Sequence, residues 1–333
     1  MTVRFALLGA GRIGKVHGAA VAATEGARLL AVADPVAEAA QAIAERYRAE
    51  MRTIEAIEAA RDIDAVIIAT PTDTHADLIE RFARAGKAIF CEKPIDLSVA
   101  RVCACLAVVE ETGARLMIGF NRRFDPSFVA LKAQIDAGRI GEVEMATITS
   151  RDPSPPPVEY IRSSGGLFRD MTIHDFDMAR HLMGEEIVAV TARAAALVDP
   201  AIGKAGDFDS ASLVLETASG RQAMISNSRR AVYGYDQRIE VLGSSGLVAA
   251  ENQRPVAIEL ADASGFTRPP LYDFFMTRYT QAYANEIAAF VAALRDGGPI
   301  RPGGQDGLAA LLLAEAALVS VREGRTVKVS EVG

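Results

Sequence analysis

The stretch Gly9–Gly14, with the sequence GAGRIG, decides the fold of the first part of the chain. It follows a short apolar run, Arg4–Leu8, and opens a helical pattern that continues to Ala23. In such a strand-turn-helix unit the first glycine permits a tight turn, the second lets the backbone approach a pyrophosphate, and the third lets the helix pack on the strand. The free backbone amides and the positive end of the dipole at the helix N-terminus favour binding of the phosphates. The stretch therefore predicts a dinucleotide-binding site.

An acidic residue, Asp34, ends the second apolar run, Arg28–Ala33. An acid at this place accepts hydrogen bonds from the adenosine ribose hydroxyls. It would repel a 2′-phosphate, and the residues that follow it, Pro35 and Val36, offer no side chain to bind one. The predicted cofactor is therefore NAD rather than NADP.

The first 120 residues alternate short apolar runs with helical patterns, which is typical of right-handed crossovers and a parallel sheet. The remaining strands and helices are predicted at Ala65–Ala69, Ala88–Cys91, Leu116–Phe120, Ile13–Ala23, Val36–Arg48, His75–Ala85 and Ser98–Thr112. We expect an α/β domain at residues 1–120 that binds its ligand at the carboxyl edge of the sheet.

The pattern changes after Phe120. A polar segment leads into a helix and a strand at Val143–Thr149, the proline-dense segment Pro153–Pro157 predicts a loop, and Ile173–Met183 predicts a helix. Closely spaced strands then follow at Val188–Ala196, Ala211–Thr217, Gln222–Ser228, Arg238–Gly243, Leu247–Ala250 and Val256–Leu260. Residues 121–333 are expected to form an α+β domain with a mainly antiparallel sheet. Its second face needs a cover, usually a partner subunit, so we expect a homo-oligomer.

The composition excludes several classes of protein. A chain of 333 residues favours two domains, and its formal net charge of −7 comes without a long run of Lys or Arg, unlike a nucleic-acid-binding protein. We recognise neither a secretory leader nor an uncharged stretch of membrane-spanning length. The three cysteines, Cys91, Cys103 and Cys105, favour a reducing compartment over a disulfide framework. A cytoplasmic protein that binds neither nucleic acid nor membrane is expected.

The segment from Glu92 to Pro94 closes a strand of the predicted parallel sheet. Pro94 biases Lys93 away from helical conformation. A lysine there can donate to a reacting oxygen and stabilise alkoxide character as a hydride leaves, although an isolated lysine is more often a solvated surface residue. The turn Thr70–Pro71 follows another strand, and His75 after it either approaches the nicotinamide ribose or simply starts a helix.

Asp170 and His174 are four residues apart, so in a helix they share one face, as do Ile173 and Asp177. An acid beside an imidazole can fix its tautomer and raise its basicity, which a general base near neutral pH requires. His174 is equally consistent with a residue that fills a helix face without a role in chemistry.

The other histidines and the cysteines give no sign of a metal site. His17 and His181 are interpreted as packing or surface residues. The motif HExxH and zinc-type Cys and His pairings are absent from the sequence, and acid-base work by Lys93 and His174 would need no metal. No metal requirement is therefore expected.

Taken in order over nearly the whole chain, the GAGRIG stretch, the EKP motif and the spacing from Asp170 to His174 resemble the glucose-fructose oxidoreductase and inositol dehydrogenase family. The segments Gly119–Asp125 and Ile173–Arg180 carry a closer likeness to its bacterial myo-inositol 2-dehydrogenase branch. The resemblance implies a Rossmann domain with NAD, followed by a domain with a large open sheet, usually in a homotetramer.

By the same resemblance, Lys93, Asp170 and His174 form the catalytic triad, in which His174 takes the hydroxyl proton while a hydride passes to the nicotinamide. The residues expected to hold a cyclic polyol are Arg122, Asp177 and Tyr235, with Tyr233 as an alternative to Tyr235. The full set of expected cofactor contacts is Gly9, Gly11, Arg12, Ile13, Gly14, Asp34, Thr70, Pro71, His75, Glu92 and Lys93.

The resemblance specifies the mechanism better than the substrate. The leading hypothesis is oxidation of myo-inositol to 2-keto-myo-inositol (scyllo-inosose). The alternatives are a dehydrogenase of another inositol isomer or sugar, an NAD-assisted glycosidase, and a sugar-sensing NAD-binding protein without turnover. The presence of Lys93, Asp170 and His174 disfavours the last of these.

Overall fold

The computed structural model describes residues 2–333, which form two compact units. The first contains the chain up to Asp125 together with Thr280–Leu311, and the second contains Pro126–Tyr279 together with Leu312–Gly333. The division expected from the sequence, after residue 120, differs in assigning Thr280–Leu311 to the second domain. That segment holds a helix that packs on the parallel sheet.

A six-stranded parallel sheet forms the centre of the first unit, in the order β3-β2-β1-β4-β5-β6. Its strands are β1 (Val3–Leu8), β2 (Ala27–Ala33), β3 (Glu50–Met51), β4 (Ala65–Ile68), β5 (Ala88–Cys91) and β6 (Leu116–Ile118). The helices between them are α1 (Arg12–Ala23), α2 (Ala37–Tyr47), α3 (Ile54–Ala59), α4 (His75–Arg84) and α5 (Val99–Thr112). The expected parallel α/β domain is confirmed, and β3 and α3 are additional to the predicted elements.

A seven-stranded sheet forms the centre of the second unit, in the order β12-β11-β7-β10-β9-β8-β15. The strands of this unit are β7 (Val143–Arg151), β8 (Ile187–Ala195), β9 (Ser210–Thr217), β10 (Gln222–Ser228), β11 (Asp236–Gly243), β12 (Gly246–Ala250), β13 (Leu260–Asp262), β14 (Gly265–Thr267) and β15 (Val327–Lys328). Its helices include α6 (Pro126–Asp136), α7 (Val158–Ser164), α8 (Ile173–Met183), α9 (Pro200–Lys204) and α10 (Phe275–Arg278). Neighbours are antiparallel except β7 and β10, so the mainly antiparallel sheet is confirmed.

The predicted strand at Val256–Leu260 is wrong. Only Leu260 belongs to a strand, β13, which pairs with β14 in a separate two-stranded hairpin. Val256, Ala257 and Ile258 form a short apolar run as in a strand, but Val256 and Ile258 are 52% and 68% exposed because no sheet lies beside them in the described chain. The predicted loop at Pro153–Pro157 is confirmed, and α7 follows it directly.

Helix α11 (Thr280–Asp296) belongs to the first unit because its apolar side packs on the parallel sheet. Ile287 and Phe290 are fully buried. The Phe290 ring lies 6.2 Å from that of Phe5 in β1 and 6.1 Å from that of Phe90 in β5. The chain therefore returns to its first sheet after the second sheet is nearly complete.

Helix α12 (Gly304–Glu323) is long and apolar enough to cross a membrane, judged by length and composition alone. Its Leu313, Ala314 and Ala317 are buried, and its Ser320 hydroxyl accepts a hydrogen bond from the amide of Ala192 in β8. This is the pattern of a core helix, and a single helix of this kind is a weak indication of a membrane span.

Candidate active site

The loop between β1 and α1 is tightly packed at two glycines and open at the third. A methyl group on Gly9, whose φ is +95°, would lie 2.4 Å from the carbonyl oxygen of Ala69. One on Gly14 would lie 2.0 Å from the carbonyl oxygen of Gly9, whereas one on Gly11 would meet no atom within 4 Å. The protein's own packing therefore requires Gly9 and Gly14, and the open position is the glycine that lets a pyrophosphate approach.

Alanine substitutions are expected to separate these roles. Gly11 has a φ of −69°, which alanine adopts freely, so Gly11→Ala should change the free energy of unfolding by less than about 0.5 kcal/mol. It should nevertheless raise the Kd of NAD at least about tenfold, because the methyl group occupies the approach of the pyrophosphate. Gly14→Ala should lose about 1–3 kcal/mol of stability or more, because its methyl group clashes with backbone.

Urea unfolding and calorimetric NAD titration of both variants would check this prediction. A Gly11→Ala variant that binds NAD as tightly as the wild type would exclude the loop as the pyrophosphate site. A Gly14→Ala variant of unchanged stability would show that the backbone relaxes around the added methyl group.

The N-terminus of α1 is suited to a phosphate. Helix α1 begins with Arg12 and Ile13. Its N-cap residue, Gly11, has no side chain to cap the first backbone amides, so these amides are available to a ligand. The carboxylate of Asp34 accepts hydrogen bonds from the amides of Ala10 (2.6 Å) and Val36 (2.8 Å). Asp34 thus holds the loop, and its oxygens retain lone pairs for ribose hydroxyls. These residues fit NAD.

The turn Thr70–Pro71 follows β4, and His75 starts α4 after a short 3₁₀ turn. The ring of His75 is buried. Its Nδ1 lies 2.8 Å from the carbonyl oxygen of Pro94, and its Nε2 lies 2.8 Å from that of Thr70. His75 therefore joins the two loops that follow β4 and β5, a role that the sequence did not reveal.

The segment from Glu92 to Pro94 follows β5 at the carboxyl edge of the sheet. Lys93 is half-buried, and its peptide bond to Pro94 is cis. The carboxylate of Glu92 accepts a hydrogen bond from Nε2 of His17 at 2.6 Å. His17 is fully buried, so of its two interpretations only the packing one holds, and it has a polar partner that sequence reasoning missed. A contact of Glu92 with the cofactor stays a prediction.

Arg122 also belongs to the first unit. It lies in the 3₁₀ turn Asn121–Phe124, which comes soon after β6, and only 4% of its surface is exposed. The first unit therefore carries the glycine loop, Asp34, Lys93 and Arg122 after the ends of its parallel strands.

Asp170 lies in the second unit, in a single π-helical turn, Phe168–Thr172, that runs into α8. Its carboxylate accepts hydrogen bonds from the Tyr160 hydroxyl (3.0 Å) and the Arg229 guanidinium (3.2 Å). The sequence did not indicate this π turn, in which hydrogen bonds span five residues instead of four. That Asp170 and His174 share one face stays a prediction.

Helix α8 carries His174, which is half-buried, and Asp177, which is fully buried. Between them the buried Asp175 carboxylate accepts a hydrogen bond from the side-chain amide of Asn227 in β10 (2.8 Å). The Asn227 carbonyl in turn accepts from the Thr172 hydroxyl (2.6 Å). This network, which the sequence did not reveal, ties the start of α8 to the sheet beside His174.

The two candidate tyrosines have different surroundings. The Tyr233 hydroxyl donates to Asp236 (2.6 Å) and accepts from Arg151 (3.0 Å), at the border of two surface grooves of about 680 and 650 Å³. Tyr235 is buried, and its ring stands perpendicular to that of Tyr279 at 5.9 Å. The hydroxyl of Tyr233 is thus already committed within the protein.

Two family models match the chain. Residues 3–120 match the oxidoreductase family model with an NAD-binding Rossmann fold, and residues 128–249 match the GFO/IDH/MocA C-terminal domain. The matched segments cover the parallel sheet and most of the strands of the second sheet.

Known proteins similar to the chain include several inositol dehydrogenases. The chain is 71% identical to an inositol 2-dehydrogenase of Rhizobium meliloti (strain 1021), over 99% of the chain and 100% of that protein. A crystal structure of a myo-inositol dehydrogenase from Corynebacterium glutamicum is 45% identical, with a TM-score of 0.95 over 98% of this chain and 99% of that one. A scyllo-inositol dehydrogenase from Lactobacillus casei with bound NAD(H) and scyllo-inositol is 28% identical, with a TM-score of 0.92 over 99% and 100%.

Proposed function

Because the chain belongs to the GFO/IDH/MocA oxidoreductase family, we propose that it is an NAD-dependent dehydrogenase that oxidises myo-inositol to 2-keto-myo-inositol. The observation that carries this proposal is the 71% identity to an inositol 2-dehydrogenase over 99% of the chain. The open Gly11 and the carboxylate of Asp34 support NAD as the cofactor.

The catalytic residues are Lys93, Asp170 and His174. The Lys93 ammonium donates to the reacting oxygen and stabilises its developing negative charge. His174 accepts the hydroxyl proton, and Asp170 supplies the carboxylate that supports its imidazole. Bound NAD supplies the hydride acceptor.

The polyol is held by Arg122, Asp177 and Tyr235. Arg122 and Asp177 are buried charged groups, whose hydrogen-bonding capacity matches hydroxyls that must leave water. Tyr235 is the tyrosine that the resemblance assigns to the polyol, and Tyr233, whose hydroxyl contacts Asp236 and Arg151, is the alternative.

The test is an assay of the purified protein with NAD and a panel of inositol isomers and sugars, recording NADH absorbance. We expect the largest kcat/KM with myo-inositol. A larger kcat/KM with scyllo-inositol or a sugar would make that compound the assigned substrate, within the same family. Release of sugar without net NADH would identify a glycosidase, and ligand binding without turnover a sensor.

We further propose that residues 1–120 act as the cofactor domain and residues 121–333 as the substrate and oligomerisation domain of a cytoplasmic enzyme, with Thr280–Leu311 packed in the first unit. The family models, with matches at 3–120 and 128–249, support this division. Cys91, Cys103 and Cys105 are free thiols, which a reducing compartment maintains. Burial raises the pKa of Cys105 to about 12 and raises that of Cys91 well above its usual value, so neither is a reactive thiol.

A homotetramer would cover the exposed face of the second sheet. Val214 and Met224 are directly paired neighbours on β9 and β10, and both are about two-fifths exposed, as is Leu242 on β11. Met224→Glu should therefore shift the sedimenting species to smaller oligomers, because a charge would be buried without a partner. Val129→Glu, at an exposed position on helix α6, is the control. An unchanged tetramer with Met224→Glu would place the interface elsewhere.

A further inference from the structure

Lys93 lies between two residues that histidines of different helices contact. Nε2 of His17, in α1, donates to the carboxylate of Glu92 at 2.6 Å. Nδ1 of His75, in α4, lies 2.8 Å from the carbonyl oxygen of Pro94. The backbone on each side of Lys93 is therefore anchored to a separate helix of the first unit.

The contact between His17 and Glu92 is buried and tightly packed. The His17 ring meets the rings of Phe90 and Tyr283 edge-on, at 5.0 and 5.7 Å. A methyl group on Gly119 would lie 3.2 Å from the Glu92 carboxylate, so little room remains for that carboxylate to rotate. A charge-assisted hydrogen bond in such surroundings is stronger than the same contact in water.

A third ionisable side chain, Glu286 of α11, belongs to the same cluster. It is fully buried, and its carboxyl oxygens have no hydrogen-bond partner among the described residues. Ligand atoms of His17, Glu92 and Glu286 all lie within 4.8 Å of one another. Burial and the Glu92 carboxylate raise the pKa of Glu286 well above its usual value. This direction favours the neutral acid form of Glu286, which avoids a second buried negative charge.

The distances favour a hydrogen-bonded cluster over a metal centre. Ligands of one tetrahedral zinc ion, each about 2.0–2.2 Å from the metal, lie roughly 3.3–3.6 Å from one another. Nε2 of His17 and Oε1 of Glu92 are 2.6 Å apart, which is a hydrogen-bond distance.

The contact on the other side of Lys93 uses both nitrogens of His75. The carbonyl oxygens of Pro94 and Thr70 each lie 2.8 Å from one of them. Carbonyl oxygens only accept, and an imidazole carries at least one N–H, so at least one of the two contacts is a hydrogen bond. The ring thereby fixes the loop that carries Lys93 to the loop after β4.

We propose that His17 and His75 are positioning residues for Lys93, and that Glu286 completes the buried cluster around Glu92. None of them touches the reacting atoms. They fix the backbone from Glu92 to Pro94 and thereby the direction of the Lys93 ammonium. A displacement of about 1 Å at a catalytic group lowers the rate about 100-fold, so the loss of either anchor should be visible in kcat.

The test compares His17→Gln, His75→Gln, Glu92→Gln and Glu92→Leu in the full-length enzyme. Each should lower kcat by about 10-fold to 100-fold. For His17→Gln, which changes a residue outside the expected cofactor contacts, the Kd of NAD should stay within about threefold of wild type. Glu92→Leu should be slower than Glu92→Gln, because the glutamine oxygen still accepts from His17. Misplacement of Lys93 slows hydride transfer itself, so the primary isotope effect on kcat, measured with myo-inositol deuterated at the oxidised carbon, should rise.

Three further variants complete the test. Phe82→Leu, at a fully buried position on α4, should lower thermal stability without changing the isotope effect. Glu286→Gln keeps polar atoms without a charge, so its kcat should be closer to wild type than that of Glu286→Leu. Equal losses in the two Glu286 variants would overturn the role given to Glu286. If the wild-type protein bound one equivalent of zinc and Glu286→Gln abolished that binding, the cluster would be a metal site instead.

The positioning role rests on the proposed catalytic role of Lys93, and different experimental results would contradict the two roles. If Lys93→Ala keeps near-normal turnover, both are wrong. If Lys93→Ala is inactive but the His17, His75 and Glu92 variants keep the wild-type kcat per NAD-binding site and the wild-type isotope effect, only the positioning role is wrong.

Discussion

Lys93→Ala is expected to lower kcat by about three orders of magnitude, within the range of about 10²–10⁴ for a positioned proton donor. The ammonium is the group that stabilises negative charge on the reacting oxygen, and alanine leaves that oxygen without a donor. The Kd of NAD should change only a few-fold, because the glycine loop and Asp34 are untouched. Steady-state NADH formation gives kcat, and since the chain has no tryptophan, calorimetry is the direct measure of cofactor binding.

Two substitutions control this experiment. Lys93→Arg keeps the positive charge but replaces a compact ammonium by a planar fork, so it should also be severely impaired. Lys204→Ala, at an exposed position at the end of α9, removes a lysine without affecting turnover. Near-normal kcat for Lys93→Ala would withdraw Lys93 from the catalytic residues, even though the fold and the family are established.

The parallel sheet was predictable because its strands are buried on both faces. β4 and β5 have almost no exposed residue, so each reads as a continuous apolar run between turn residues. The antiparallel strands were predictable from their alternation, as in β9, where every second residue is buried. The strand prediction failed at Val256–Leu260, because there a short apolar run lies in an exposed segment with no sheet beside it among the described residues.

Contacts over long sequence separations were not predictable. Glu92 lies 75 residues from His17, and no local pattern connects them. A partial signal was present, since Gly14, His17, Gly18 and Val21 follow the spacing of one buried helix face. That spacing indicates burial of His17, and a buried imidazole needs a polar partner, but it does not say which one.

Helix α11 and the π turn show two other limits. α11 is alanine-rich and its position in the first unit depends on Phe290 packing against Phe5 and Phe90, which only the folded chain brings together. The π turn at Phe168–Thr172 adds one residue to a helical turn without changing the apolar pattern around it. The helix at Ile173–Met183 was therefore predicted correctly, whereas the π turn before it, which holds Asp170, was not.

Asp34→Ser is expected to reduce kcat/KM for NAD by about 10-fold to 100-fold, and to reduce that for NADP much less or increase it. Hydrogen bonds to a charged group contribute about 1.5–3 kcal/mol, and each 1.4 kcal/mol is about a factor of ten. The ribose hydroxyls of NAD lose these bonds. A 2′-phosphate instead loses a repelling charge. Steady-state kinetics with both cofactors gives the ratio directly.

The structure adds a complication to this prediction, because Asp34 also holds the glycine loop through the amides of Ala10 and Val36. Loosening of the loop would weaken both cofactors alike, whereas loss of the ribose contact weakens NAD alone. Asp34→Asn separates the two effects, since it keeps an oxygen acceptor for one amide but has no charge to repel a 2′-phosphate. If Asp34→Ser and Asp34→Asn lower kcat/KM for NAD and NADP in parallel, Asp34 supports the loop and does not select the cofactor.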